Sequence, residues 1–472
     1  MAQARVAASP SLPRVQVIAP ARLGETALAA LRARGVEARI ADAPGDAGDD
    51  VVAWALDAWP TATAAVELAG ACGRAAAAGR PLCLLAPIPR GRGRAAIERV
   101  AALAYLRAHG AAVAHDVDAW LEAIVALVRF GMPRGPRAAV IAPPGSWLEA
   151  QAQALAAEAE LAGARPIAIA SGARGSKPDE PTDAVLFDPT LGPPPAQLPG
   201  LHVPVEARGE LAGDEPALHG ARAALGAIEL LGRAAERIAV GIGPAPREAI
   251  AELEVNVDQR DRQLGKLGAG ARVGDHETKV LLRAYGVPIT RQVVATTPSA
   301  AVNAARRVGY PVELKPYGND LPTERAGCPV ERGVTSDALV RRAFAAVLAA
   351  ADRLANGAVI VREAPPLGRD LAVAIVSLPA LGWTVVVDAP GQLVAAPAPL
   401  RLHDAEALAH ALIATRAGDP EPDRAGLANI LRRASHLAVD LGDRLAELEL
   451  PRVLVGGRGA RSLVADAWCK LS

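Results

Sequence analysis

Gly309-Tyr310-Pro311-Val312-Glu313-Leu314-Lys315-Pro316 is the stretch on which the fold turns. Its Gly closes a helical pattern, TPSAAVNAARRVG (297–309), and the residues after it form a short apolar strand with a lysine inside it. Read alone, such a Lys has two explanations. It can lay its stem along apolar surface and release its charge to solvent, or it can meet an anionic ligand. The surroundings bear on that choice. Before the stretch stand the helix DHETKVLLRAYG (275–286) and the short strand VPITRQVVA (287–295). After it come a long loop, the helix SDALVRRAFAAVLAAADRLA (336–355) and three apolar strands, AVIVREAP (358–365), RDLAVAIVSL (369–378) and WTVVVDAP (383–390). Helical patterns around 407–416 and 427–447 follow, then the strands LELPRVLV (448–455) and SLVADAWCKL (462–471). Helices interleaved with hairpin-like strands in this order predict an α+β domain over 274–472.

Upstream the chain repeats itself. Pro13-Arg14-Val15-Gln16-Val17-Ile18-Ala19-Pro20 leads into the helix ETALAALRARG (25–35) and the strand VEARIA (36–41). Pro136-Arg137-Ala138-Ala139-Val140-Ile141-Ala142-Pro143 leads into WLEAQAQALAAEAELAG (147–163) and ARPIAIA (164–170). Each is an apolar run, an amphipathic helix ending in Gly and a second apolar run, which predicts a parallel β-α-β unit. Both copies continue with further strand and helix patterns, so residues 1–133 and 134–238 are expected to be two flavodoxin-like, doubly wound α/β domains. The Gly/Pro-containing and then charged stretch 239–273 reads as a linker. Within it Gly241-Ile242-Gly243-Pro244 is either a plain turn or an anion-binding strand-to-helix turn.

A chain of 472 residues suits about three domains. Lys+Arg and Asp+Glu both number 51, so no basic field points to nucleic acid or to anionic lipid. Only 3% of residues are aromatic, too few for a base-stacking platform. Cys72, Cys83, Cys328 and Cys469 form no CxxC pair and no zinc-ligand spacing, which suits free thiols in a reducing compartment. The N-terminus lacks a signal-peptide core and no apolar run is long enough to span a bilayer. A cytoplasmic protein with neither a nucleic-acid nor a membrane partner is expected.

The helix VLLRAYGVP (280–288), the strand Lys315 and the run VIVREAPPLGRDLAVAI (359–375) together resemble an ATP-grasp domain. Segment order, loop lengths and the closing ELEL…VLVG…VADA pattern are similar to the NDP-forming acetate–CoA synthetases, and the paired upstream halves look like that family's ligase domains. The resemblance covers nearly the whole chain, though not the family's N-terminal CoA-binding Rossmann domain. It implies that Lys315 reaches the phosphates of ATP or ADP, and that adenine lies at the hinge strand Val359–Ala364. It also implies that Glu363, Ala364 and Asp370 sit near the nucleotide and that Asp466 remains of a Mg²⁺ site.

Departures from the family pattern accompany these matches. The phosphate-carrying His turn is replaced by IPRGRGRAAIERVAAL (88–103), so no catalytic residue is carried over. His109 and His115 lie further on. The His-Lys-Ser-Asp-x-Gly-Gly-Val loop is replaced by Thr323-Glu324-Arg325-Ala326-Gly327-Cys328-Pro329-Val330, where Glu324 adds negative charge at the ligand's own place. A second Gly-rich turn shrinks to Asp388-Ala389-Pro390-Gly391, and the metal-binding Asn becomes Pro451. Three readings stand: a degenerate acyl-CoA synthetase homologue with a nucleotide cleft and a CoA-binding partner subunit, an active ATP-dependent acid–thiol ligase completed by a partner, or an interaction module without ligand.

Overall fold

A computed structural model describes residues 13–43, 50–91, 93–162, 168–171, 181–194, 198–207, 216–351, 356–365, 368–413, 421–457 and 459–472. The N-terminal lead-in (1–12), the centre of the Pro-rich loop (195–197) and Arg92 of the replaced His turn lie outside them. Contacts divide the chain into two units, one of 1–92 with 105–243 and one of 93–104 with 244–472.

The first unit opens with β1 (Val15–Ile18), α1 (Ala21–Ala33), β2 (Ala38–Ile40), β3 (Val51–Ala55), α2 (Ala62–Ala77) and β4 (Leu82–Leu85). After α3 (Arg94–Ala108), which crosses the division, come β5 (Ala111–Ala114) and α4 (Val117–Arg129). The second copy runs β6 (Ala138–Ala142), α5 (Trp147–Ala162), β7 (Ala168–Ser171), β8 (Ala184–Phe187), β9 (Leu201–Glu206), β10 (Leu218–His219) and α6 (Ala221–Val240). All strands pair in parallel, in the orders β2-β1-β3-β4-β5 and β7-β6-β8-β9-β10. Numbered within each copy, both orders are 2-1-3-4-5, the doubly wound flavodoxin arrangement expected from the repeat. Parallel strands covered on both faces are apolar throughout, as β5 and β8 are, while β1 buries a single polar residue, Gln16.

The two sheets share one apolar core. At its centre α4 begins on an Asp116 cap, whose carboxylate accepts the Ala119 N–H at 2.7 Å, and buries Trp120, Ala123, Ile124 and Leu127. The Trp120 indole N–H donates to the Cys83 carbonyl at 3.0 Å. Glu122 on the same helix is buried, and it accepts both Arg34 amines and the His219 N–H. The GIGP stretch follows helix α6 rather than a strand, so it is a helix-ending turn, with Gly241 at the cap.

In the second unit the stretch read as a linker carries structure: a 3-10 segment (Arg247–Leu253), α7 (Val257–Leu264) and β11 (Arg272–Val273). Then come α8 (Asp275–Ala284), β12 (Gln292–Ala295), α9 (Pro298–Val308), β13 (Val312–Pro316), β14 (Glu331–Val334), α10 (Asp337–Ala351) and β15 (Val359–Glu363). The chain ends with β16 (Gly368–Leu378), β17 (Gly382–Ala389), β18 (Gln392–Pro397), α11 (Leu402–Leu412), α12 (Arg424–Leu441), β19 (Leu445–Gly456) and β20 (Leu463–Leu471). Two antiparallel sheets result, β12-β15-β13-β14 and β11-β20-β19-β16-β17-β18, each with its own apolar core.

The decisive stretch behaves as its residues dictate. Thr297 caps α9 with Pro298 in its first turn, and Gly309, at φ +99°, ends the helix where a side chain would be strained. The chain then enters β13, every residue of which is buried. Burying Val312 and Leu314 against Val359 and Val361 contributes roughly 1.5–3 kcal/mol per side chain. That gain holds the strand, and with it Lys315, in a fixed position.

Candidate functional site

Alternate residues of a strand share a face, so Glu313 and Lys315 of β13 point the same way. Glu313 sits opposite Arg362 of β15 in the antiparallel register, and Lys315 sits opposite Ile360. Three charged side chains thus enter one buried place from two strands whose other residues, apart from Glu363 at the end of β15, are apolar. Lys315 is 3% exposed and Arg362 is fully buried. Burying a charge without a partner is prohibitive, and here the partners are the chain's own acids.

Lys315 Nζ lies 2.8 Å from Asp466 Oδ1, 3.4 Å from Glu324 Oε1 and 3.6 Å from Asp275 Oδ2. Arg362 reaches Glu313 Oε2 at 2.5 Å, Glu324 Oε1 at 2.5 Å and the Ala465 carbonyl at 2.5 Å. The second oxygen of Glu324 accepts Arg452 at 3.1 Å and Arg332 at 3.2 Å. Asp275 also faces Lys279, a fully buried amine that donates to Thr290, Gln292 and the Ala465 carbonyl.

Burial opposes the charge on each of these groups, and the facing charges decide the outcome. Asp275 and Asp466 outweigh the burial of Lys315 and hold its pKa above the usual lysine value. Burial pushes Glu324 up, yet Arg362 and Lys315 pull it down to about 2. Burial prevails at Lys279 despite Asp275, lowering it to about 8. The cluster is a network of fixed, paired charges.

The residues singled out from the sequence fall into two groups. Lys315 and Asp466 are brought together. Asp370 of β16 joins them indirectly, since Arg452 bridges it (3.1 Å) to Glu324, while Arg325 holds its other oxygen at 2.9 Å. Glu363 and Ala364 stand apart, at the far end of β15. Glu363 accepts Arg291 at 2.6 Å and faces Arg461 at 3.6 Å, and the Ala364 N–H donates to the Pro311 carbonyl at 3.1 Å. His115, outside the cluster, faces the Ala86 carbonyl with one ring nitrogen and Arg107 with the other. Burial lowers its pKa.

A Mg²⁺ ion does not fit this donor set. Asp466 uses one oxygen on Lys315 and the other on the Glu324 N–H at 3.0 Å. Pro451 offers no side-chain donor, and among the described residues no group of three or more His, Cys, Asp or Glu is arranged to hold a metal. Sequence reasoning missed Asp275, Lys279, Glu313, Arg332, Arg362 and Arg452. A readable signal existed for two of them: Glu313 and Arg362, like Lys315, are charges within largely apolar strands, and the pairing register brings them to one face.

The four cysteines are buried and free. No helix among the described residues is long and apolar enough to cross a membrane.

The ATP-grasp domain family matches residues 268–471. Over 209 residues the chain is 25% identical to the beta subunit of ADP-forming acetate–CoA ligase II from Pyrococcus furiosus, spanning 41% of this chain and 89% of that subunit. Over 207 residues it is 26% identical to ADP-forming 4-hydroxybutyrate–CoA ligase from Nitrosopumilus maritimus, spanning 40% of this chain but only 30% of that protein. Among solved structures it is similar to the dinucleotide-forming acetyl-coenzyme A synthetase 1 of Ca. Korarchaeum cryptofilum, at 25% identity and a TM-score of 0.41, over 45% of this chain and 100% of that one.

Proposed function

We propose that this chain, whose residues 268–471 are an ATP-grasp domain related to ADP-forming acyl-CoA synthetases, is a degenerate homologue that transfers no phosphoryl group and accompanies a CoA-binding subunit. The carrying observation is the 2.8 Å pair between Lys315 and Asp466. The cation expected on the nucleotide phosphates and the acid expected on the metal neutralise each other. Phosphoryl transfer depends on donors and metal ions positioned on the phosphates, and here the chain's own side chains already engage these groups.

Two further features support the reading. The sequence holds no histidine in the stretch 88–103, where the resembled family carries its phosphate. The matched relative from Pyrococcus furiosus is by name a beta subunit, which favours a partner bringing the CoA-binding part. ATP or ADP entering this cleft has to displace Glu324 first.

The test is phosphate release from MgATP in the presence of CoA and acetate, by the purified chain alone and mixed with a CoA-binding subunit from the same genome. No release above background is expected from the wild type or from Lys315→Ala. Release by the wild type that Lys315→Ala abolishes would overturn the proposal in favour of an active ligase.

A further inference from the structure

One carboxylate in the second unit is surrounded by cations on every side. Glu324 Oε1 faces Lys315 and Arg362, and Oε2 faces Arg332 and Arg452, all within 3.4 Å. Four cations converging on one carboxylate form a site for an anion of higher charge. Planar guanidinium forks and an ammonium point charge are the groups that bind phosphate oxygens. We propose that Glu324 is a tethered stand-in for a phosphate group: its carboxylate occupies an anion pocket built by Lys315, Arg332, Arg362 and Arg452 and excludes free polyphosphate while seated there.

The way Glu324 is delivered supports an occupant rather than a wall. It sits on a three-residue 3-10 turn, Glu324–Ala326, in the loop between β13 and β14. Thr323 caps that turn, accepting the Ala326 N–H at 3.2 Å, and Gly327, at φ +96°, ends it. The side chain itself is only 3% exposed. The pocket nevertheless has an open rim, because Arg332 is 52% exposed and Arg452 21% exposed. An anion can approach past these two guanidinium groups to reach the buried Lys315 and Arg362.

Each cation keeps another acid when Glu324 is removed. Lys315 retains Asp466 and Asp275, Arg362 retains Glu313, Arg452 retains Asp370, and Arg332 retains Glu313 at 3.6 Å. Loss of the Glu324 carboxylate therefore frees four sets of donors without leaving any of them unpaired. A pyrophosphate group, free or at the end of a nucleotide, supplies oxygens for several of those donors at once.

The inference rests on the non-catalytic reading above, and a different readout tests it. Full-length wild type, Glu324→Ala, Glu324→Gln and the Glu324→Ala/Lys315→Ala double variant are titrated calorimetrically with inorganic pyrophosphate and, separately, with MgADP. Each protein's thermal melt is recorded alongside. The wild type is expected to give no binding heat at millimolar ligand. Glu324→Ala should bind pyrophosphate at least about tenfold more tightly than the wild type, and the added Lys315→Ala should abolish the gain. Binding of pyrophosphate alone marks a phosphate pocket, and binding of MgADP as well marks a full nucleotide cleft; both support the proposal. Should Glu324→Ala fail to fold, the isosteric Glu324→Gln carries the test with a smaller gain. Wild type binding as tightly as the variants, or a folded Glu324→Ala binding neither ligand, overturns it. Phosphate release by the wild type would instead count against the non-catalytic reading, so the two failures are read in different assays.

Discussion

Arg362 shows what the charge network does for the fold. Its guanidinium is fully buried and joins Glu313 of the neighbouring strand to Glu324 of the loop and to the Ala465 carbonyl of β20. Arg362→Met would keep the apolar stem and remove the charge, leaving two buried carboxylates short of a partner. Breaking one side of a buried pair costs about 3–5 kcal/mol, and a loss of that size is expected in urea unfolding of the variant. Adding Glu313→Gln should restore part of it, because the second change removes one of the acids left uncompensated. Equal losses in the single and double variants would contradict this coupling. At this scale the sequence was half legible. Lys315 and Asp466 could be named from their places in a pattern, and Glu324 from the charge it adds. Arg362 offered only its place in a strand register, and Arg452 not even that, because what gives them meaning is the set of acids around them, and those acids are scattered from Asp275 to Asp466 along the chain.

Helix α6 makes the corresponding point for elements. Gly232 lies within it and is buried, and a Cβ at that position would fall 2.3 Å from the Gly135 carbonyl carbon and oxygen. The helix therefore crosses the chain before β6 at backbone contact distance. Gly232→Ala should gain up to about 1 kcal/mol of helix propensity and lose more, about 1–3 kcal/mol, to the forced separation. A lower melting temperature for the variant is the expected net result, and a rise would show that the crossing gives way easily. The β-α-β repeats were readable because apolar runs, amphipathic helices and closing glycines are local signals. The segment 239–273 was not. Its helix α7, VDQRDRQL, is polar nearly all round, and distant partners hold it: Arg260 on Asp440 at 2.7 Å and Gln259 on the Val280 carbonyl at 3.3 Å. Its one local signal is Asn256, whose side chain caps the helix through the Gln259 N–H at 2.9 Å. Asn256→Ala should cost about 1 kcal/mol in the same unfolding measurement.

Across the whole molecule acidic and basic residues balance at 51 each, so no overall charge repulsion dominates stability near neutral pH. Individual buried groups then shape the pH profile. Glu324, held down at about 2 from an ordinary 4.5, contributes stability that is complete above pH 4.5 and is lost as pH falls through 2. His115, His276 and His436 are lowered mainly by burial. In the unfolded chain they take up protons at a higher pH than in the folded one, so they too make stability rise with pH, up to the ordinary histidine value of 6.5. Glu449 works in the opposite direction. Burial first, then the neighbouring Glu447 charge, raises it to about 7. Between pH 4.5 and 7 the folded chain keeps a proton there that the unfolded chain has released, and stability falls as pH rises. Glu449→Gln removes this one term. The stability of the wild type minus that of the variant, from melts at closely spaced pH values, should decline from about pH 4.5 to about pH 7 and be level below that window. The same difference taken with Glu324→Gln should instead climb between about pH 2 and pH 4.5 and then hold steady. Parallel wild-type and Glu449→Gln profiles would mean that the Glu449 carboxyl ionises as freely in the fold as in the open chain, and that the Glu447–Glu449 pair imposes no cost on β19.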